Sequence, residues 1–347
     1  MADINSLTAA LSLGIQSAKG TQATKFNTFL ATLSGLGTAF DKRQSLQEHP
    51  SSSGSVSYET ATAASRTGYL GRARGTFLLR PKAIGQALIA VGFKVVTAAG
   101  PESGTYEHTF TIENDSLIKW MSAIHNIGDG GASFDRLLLD TRAERLNFNI
   151  SNERIQCEIA LKSLGVGIPS GSPTYTSEVD DEISPSTGST TCTFDATDLF
   201  TEYRGATCEI AQGLKDQAND RPLHTSQRTD LARNTIGITG VLQGINVTED
   251  LWWSVTGGDA AATAPTLITP TGALSFAYES ADVIGATATP YSMSWTFEKV
   301  ELEFPEDGFT AQNADAVRTD INYTMLTNGV TTPIEIVLIN DQAQYVA

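Results

Sequence analysis

The feature that most constrains this chain is an internal repeat. Slid along itself by 165 positions, Thr28-Phe29-Leu30-Ala31-Thr32 falls on Thr193-Phe194-Asp195-Ala196-Thr197, Gly75 on Gly240 and Gly92 on Gly257. Phe110 then lies over Leu267 and Leu117 over Leu274 at an offset of 157. Near the ends, Cys157, Ile159, Leu161 and Gly165 lie over Ile321, Tyr323, Met325 and Gly329 at an offset of 164. Few identities remain, but the order of events recurs, which is the signature of a duplicated structural unit. A chain of 347 residues also exceeds the size at which one core usually stops growing, so two domains with two cores are expected.

Alternation of apolar and polar residues supplies the local signal. Leu146, Phe148 and Ile150, then Ile155, Cys157 and Ile159, step by two. Val300, Leu302 and Phe304, and Ile321, Tyr323 and Met325, do the same. Such steps make strands with one buried face, and Pro333 opens a further strand over Ile334–Ile339. Each half carries one short helix at the matching place. Pro81 and Gly92 bracket the first, with Ile84, Leu88 and Val91 as its stripe. Thr248 caps the second ahead of Glu249 and Asp250, Leu251, Trp252 and Val255 form its apolar side, and Gly257 stops it. The expected fold is all-β with one short helix per domain.

The expected boundaries are an N-terminal arm over 1–27, a first domain over 28–165, a linker over 166–190 and a second domain over 191–347. Leu7, Leu11 and Ile15 give the arm only a weak helical look, so it reads as a segment that orders on contact. The linker is rich in Pro, Gly, Ser and acids, and Glu48–Ser55 reads as a long loop.

Chemistry is sparsely signalled. His49, His108, His125 and His224 are scattered, and Cys157, Cys192 and Cys208 show no CxxC spacing. No metal, cofactor or catalytic site is therefore expected, and no nucleophile, base and orienting partner can be assembled. Ser116 and Lys119 match SxxK without its companion motifs. The acids Glu178, Asp180, Asp181 and Glu182 lack the spacing and glycine of a calcium loop. Trp252 and Trp253 could stack on a sugar, although packing in the core is the simpler reading. No run approaches the roughly 18 apolar residues of a membrane span, and the first twenty residues lack the basic start of a secretory signal. A chain made in a cytosol is expected.

Charge is split unevenly. Residues 1–170 hold 16 Lys/Arg and 14 Asp/Glu, leaving 7 and 25 for the rest, so net charges of +2 and −18 compose the total of −16. So acidic a half repels a nucleic-acid backbone, because gripping DNA takes basic groups that displace counterions. A surface past which DNA slides without sticking is still compatible with it.

Gly14-Ile15-Gln16-Ser17-Ala18-Lys19-Gly20-Thr21 resembles the G-x-x-x-x-x-G-T opening of major tail tube proteins of long-tailed bacteriophages. Gly71-Arg72-Ala73-Arg74-Gly75-Thr76-Phe77, the helix that follows, and Tyr106-Glu107-His108-Thr109-Phe110 are similar to later stretches of the same family. The resemblance implies two tandem β-sandwich or barrel-like tube domains, and a trimer that mimics a six-membered ring. It also implies stacked rings around a tape-measure protein, tail tip and terminator proteins at the ends, and transient passage of double-stranded DNA. The location implied is the tail tube of a virion assembled in the host cytoplasm, with no membrane partner. Gly14, Gln16, Lys19 and Thr21 become candidates for a ring-stacking arm. Glu158, Glu301 and Glu303, which alternate with buried-type residues, become candidates for a lumen lining expected to be acidic. The second half departs from the pattern, with Pro265-Thr266-Leu267 where the first has His-Thr-Phe. A β-sandwich adhesin or glycan-binding module is the alternative.

Overall fold

The computed structural model describes residues 10–46, 61–126, 135–151, 154–177, 190–195, 204–215, 230–267, 270–305, 318–327, 329, 332–333 and 334–345. The loop expected at Glu48–Ser55 and the acidic run from Glu178 to Glu182 lie outside them. In the first half the strands are β1 Ala10–Ile15, β2 Lys25–Leu46, β3 Ala61–Leu78, β4 Phe93–Ala99, β5 Tyr106–Ile112, β6 Met121–Asn126, β7 Arg136–Ser151 and β8 Ile155–Gly167, with helix α1 at Ile84–Ala90. After β9, Thr174–Ser177, the second half contains β10 Thr190–Phe194, β11 Gly205–Leu214, β12 Arg233–Asn246, β13 Thr271–Val283, β14 Pro290–Glu303, β15 Arg318–Met325 and β16 Ile334–Asn340, with α2 at Glu249–Thr256. The fold is all-β with a short helix in each half.

The repeat is visible in the pairing of strands. In the first half β1 pairs with β6, β6 with β7, β7 with β8, β8 with β3, and β3 with β2. In the second, β10 pairs with β13, β13 with β14, β14 with β15, β15 with β12, and β12 with β11. Register recurs too. Gly75 faces Ile159 and Phe77 faces Cys157, just as Gly240 faces Tyr323 and Leu242 faces Ile321. The first half adds a β1–β2 pairing, so its six strands form a closed circuit of pairings, and closing a sheet removes its edges.

Three alignments need correcting. Leu33 is the partner of Gly75 and Cys208 is the partner of Gly240. Leu33 therefore corresponds to Cys208, and the match of Thr28–Thr32 to Thr193–Thr197 is a slip across extra residues in the second half. Phe110 lies in β5 whereas Leu267 is fully exposed outside any strand, because the β4–β5 hairpin is an insertion of the first half. Leu117 sits in a 3-10 turn, not in a strand matching that of Leu274.

The expected boundaries also shift. All 16 strands belong to one hydrogen-bonded sheet. β7 pairs with β11 across the halves, and β16 at the far end of the chain pairs with β5 near its beginning. One apolar cluster runs through both halves, from Leu11, Ile84 and Phe148 to Trp295, Ile321 and Ile336. Phe148 meets Trp295 edge-on at 5.5 Å, and Trp295 stacks on Phe276 at 5.0 Å. Two repeats thus share one core instead of building two. The linker is in part structural, since β8 runs to Gly167 and β9 pairs in parallel with β2 over Lys25–Thr28.

The arm is corrected most. Every residue of β1 is buried, with Leu11 and Leu13 at 0% exposure, and the strand is held between β2 and β6. A strand buried on both faces shows no alternation, which is why it escaped the period-two signal.

The helices form for the reasons expected. Thr248 Oγ1 accepts a hydrogen bond from the Leu251 amide at 3.2 Å, capping α2. Gly92 has φ of +97° and turns the chain out of α1. The expected stripe on α1 is instead a helix buried all round, because β1, β4, β7 and Tyr345 enclose it.

Candidate functional site

The chemically coherent surface is one broad polar face. Successive cross-strand partners run Thr76, Glu158, Asn147, Glu209, Thr239, Thr324 and Glu301, one residue on each of β3, β8, β7, β11, β12, β15 and β14, and β2 pairs with β3 at the end of the row. The adjacent row runs Gln156, Asn149, Thr207, Val241, Asn322 and Glu303. Between these rows the alternate residues turn inward. Cys157, Ile159, Leu146, Phe148, Cys208, Ile210, Leu242, Ile321, Tyr323, Val300 and Leu302 are all buried in the shared core. Glu158, Glu301 and Glu303 therefore belong to one surface, two of them on one row, although 143 positions separate Glu158 from Glu301.

Local packing holds this face in place. The Tyr323 hydroxyl donates to the Thr207 carbonyl at 2.8 Å, tying β15 over β12 to β11. The ring passes over Gly240, where a Cβ would lie 2.0 Å from the Thr207 carbonyl oxygen and 2.4 Å from the ring. Gly240 is there because nothing larger fits. Burial pushes the Tyr323 hydroxyl well above its ordinary range and the Cys208 thiol up to about 12, so both stay neutral. Arg145 donates to Glu158 at 3.0 Å and lies 3.7 Å from Glu209, bridging the two halves across β7 and β11. All three side chains are about a third or more exposed, so the bridges contribute little beyond orienting the junction.

The face is acidic on only one side. The second half's side carries Glu209, Glu301, Glu303 and Asp320. The first half's side carries exposed Arg72 and Arg74, with Lys162 held by Glu144 at 2.6 Å. The face thus repeats at the surface the charge split between the halves.

The arm candidates lie elsewhere, folded back on their own chain. A Cβ on Gly14 would meet the Lys25 carbonyl at 2.4 Å. Gln16 is buried and donates to Ser122 Oγ at 3.0 Å. Lys19 lies over Trp120 at 4.5 Å, with Arg142 at 4.2 Å from the same ring. The Gly20 amide donates to Asp140 at 2.6 Å and the Thr21 amide to the Ala18 carbonyl at 3.1 Å. These contacts seat the segment as a docked turn. Trp252 stacks on Phe304 at 5.0 Å, so one face of that ring is already covered.

Two of the scattered histidines, His108 and His125, are packed in the interior. His108 is fully buried, with Nδ1 2.9 Å from Thr97 Oγ1 and Nε2 2.9 Å from Asn340 Oδ1. Asn340 donates to the Pro81 carbonyl at 2.8 Å and to Tyr345, whose hydroxyl donates to the Lys82 carbonyl. The network latches the end of the chain onto the entry to α1. No group of three or more His, Cys, Asp or Glu that could hold a metal occurs among the described residues. No family model matches this chain, and no curated protein does.

Proposed function

We propose that this chain is the structural subunit of a bacteriophage tail tube: three copies close into a ring, and rings stack into a hollow conduit for double-stranded DNA. The observation that carries the reading is the row of eight paired strands from β2 to β14, polar from Thr76 to Glu301 and backed from β3 to β14 by one apolar core. Four strands come from each repeat, so one chain supplies two equivalent segments of wall. At about 4.8 Å per strand, eight strands span ~38 Å, and three chains close a backbone ring roughly 37 Å across. Taking about 5 Å per wall for side chains, half a sheet-to-sheet spacing, leaves a bore of roughly 27 Å, which admits a DNA duplex.

The chemistry of the face suits passage better than binding. Threonine and asparagine dominate its two central rows, and of the cations on the face Arg145 and Lys162 are engaged by carboxylates while Arg72 and Arg74 stand to one side. A lining of that kind gives phosphates few unneutralised cations to displace counterions for, so DNA is not retained. Beyond Gly71, where the β8 pairing ends, β2 and β3 continue paired to each other as far as Leu46 and Ala61. This two-stranded ribbon reaches past the wall and suits contact with a stacked ring or a tape-measure, tip or terminator protein. In this reading the protein resides in the virion tail, having assembled in the host cytoplasm.

Electron microscopy of the purified chain at high concentration tests the reading. Tubes of constant diameter are the expected result. Discrete monomers that bind glycans would overturn it in favour of an adhesin.

A further inference from the structure

The fold contains a template for the contact between copies. Within the chain, the first repeat joins the second where β7 pairs antiparallel with β11, with Asn147 opposite Glu209 and Arg145 opposite Ala211. In the repeat, β14 is the counterpart of β7, because Glu303 faces Asn322 of β15 as Asn147 faces Glu158 of β8. Similarly β2 is the counterpart of β11, because Gly35 faces Arg74 of β3 as Glu209 faces Thr239 of β12. Among the described residues, β14 beyond Glu301 and β2 beyond Leu30 each have a strand partner on one edge only.

We propose that the edge of β14 from Leu302 onward pairs antiparallel with the edge of β2 in a second copy of this chain, Glu303 lying opposite Gly35. Junctions within and between chains then share one geometry. The proposal rests on the ring reading above, but names the surfaces and the register that the ring requires.

Charge supports the same register. Gly35 and Gly37 of β2 face Arg74 and Arg72 of β3. In the proposed register Glu303 lies across Gly35 from Arg74, whereas the outer edge of Glu301 is already taken by Thr271 of β13. The Glu303 carboxylate is two strands from the Arg74 guanidinium, about 9.6 Å between backbones, and the intervening residue has no side chain. Two long side chains reaching toward each other bridge that gap. Inside the chain the equivalent place is held by Arg145 against Glu158 and Glu209; between copies the acid comes from one molecule and the base from the next. The halves, at +2 and −18, also favour a second-half-to-first-half contact over an encounter between two acidic halves.

The test uses full-length protein and its concentration threshold for assembly, read by light scattering and electron microscopy. Reversing one side, as Arg74→Glu or as Glu303→Arg, should raise the threshold by about fivefold. Combining both reversals restores opposite charges at every junction and should bring it back near the wild-type value. A Gly35→Cys, Glu303→Cys variant should give disulfide-linked multimers under mild oxidation, since the three native thiols are buried. Unchanged thermal melting confirms that each variant folds. If the doubly reversed variant assembles no better than the single reversals, or assembled Cys variants do not cross-link, the junction is wrong. Tubes indifferent to every reversal would remove the junction and leave the tail-tube reading standing. Rings or open filaments rescued by the double reversal, without tubes, would do the opposite. Absence of any association at high concentration would overturn both.

Discussion

Replacing Phe148 with alanine tests whether two repeats share one cooperative core. Phe148 belongs to β7 of the first half, is 0% exposed, and touches Trp295 of the second at 5.5 Å and 77°. Removing a fully buried phenylalanine costs about 3–5 kcal/mol, the range reflecting how far the cavity collapses. With about 2.1 cal/mol/K of unfolding entropy per residue, the 347 residues give ~0.7 kcal/mol/K, so Tm should fall by roughly 4–7 °C. The fall should appear in one calorimetric transition, with the same midpoint by tryptophan fluorescence, because β7–β11 and β5–β16 tie the halves together. Two independent domains would behave otherwise. Two resolved transitions, one displaced by Phe148→Ala and one unmoved, would refute the single core.

Two further outcomes follow from buried residues. Leu13→Ala in β1 should cost about 2–5 kcal/mol, measured by urea denaturation, since Leu13 is 0% exposed between two strands; a change near zero would return the segment to the status of a loose arm. The pH dependence comes from His108 and His125, whose pKa values burial lowers, against the hydrogen bond that His108 donates to Asn340 and the charge of Asp135 respectively. Above about pH 6.5 both states hold these rings neutral and they contribute nothing to pH dependence. Below it the unfolded chain binds protons that the fold refuses, so stability should fall as pH drops, by up to ~1.4 kcal/mol per pH unit for each histidine. Urea midpoints that do not change between pH 7.5 and 5.5 would contradict this, and His108→Gln should remove part of the slope.

Much of this was legible from local pattern. The alternation at Leu146–Ile150, Ile155–Ile159 and Ile321–Met325 gives the strands and their polar faces, and Thr248 and Gly92 mark helix ends by steric and capping demands that act within a few residues. What stayed hidden has a different physical origin. β1 is buried on both faces and so has no period to detect. The pairing of β16 with β5 links residues more than 220 positions apart, and no local signal encodes it. The slip at Thr28–Thr32 arose because four matching letters in five outweighed a register that only the partners of Gly75 and Gly240 reveal. Glu158, Glu301 and Glu303 could be assigned a face each, but their common face depends on how β7 meets β11.

That junction is where fold and proposed function become one constraint. Side chains alternate along a strand with a period of two, so a slip of one residue between β7 and β11 would exchange every inward and outward residue of the second repeat relative to the first. Glu209 would enter the core opposite Phe148, and Ile210 and Cys208, both 0% exposed, would emerge on the polar face. Burial of those apolar groups favours one register by several kcal/mol, at roughly 25 cal/mol per Å² of apolar surface. The polar face is therefore continuous because the core behind it is. A duplication that kept separate cores would have left the relative facing of its halves to a linker; sharing the core makes it a consequence of packing. The same parity rule governs the proposed contact between copies. There the apolar side of β14, with Val300 and Leu302, has to continue into the neighbour's buried side for Glu303 to align with Arg74.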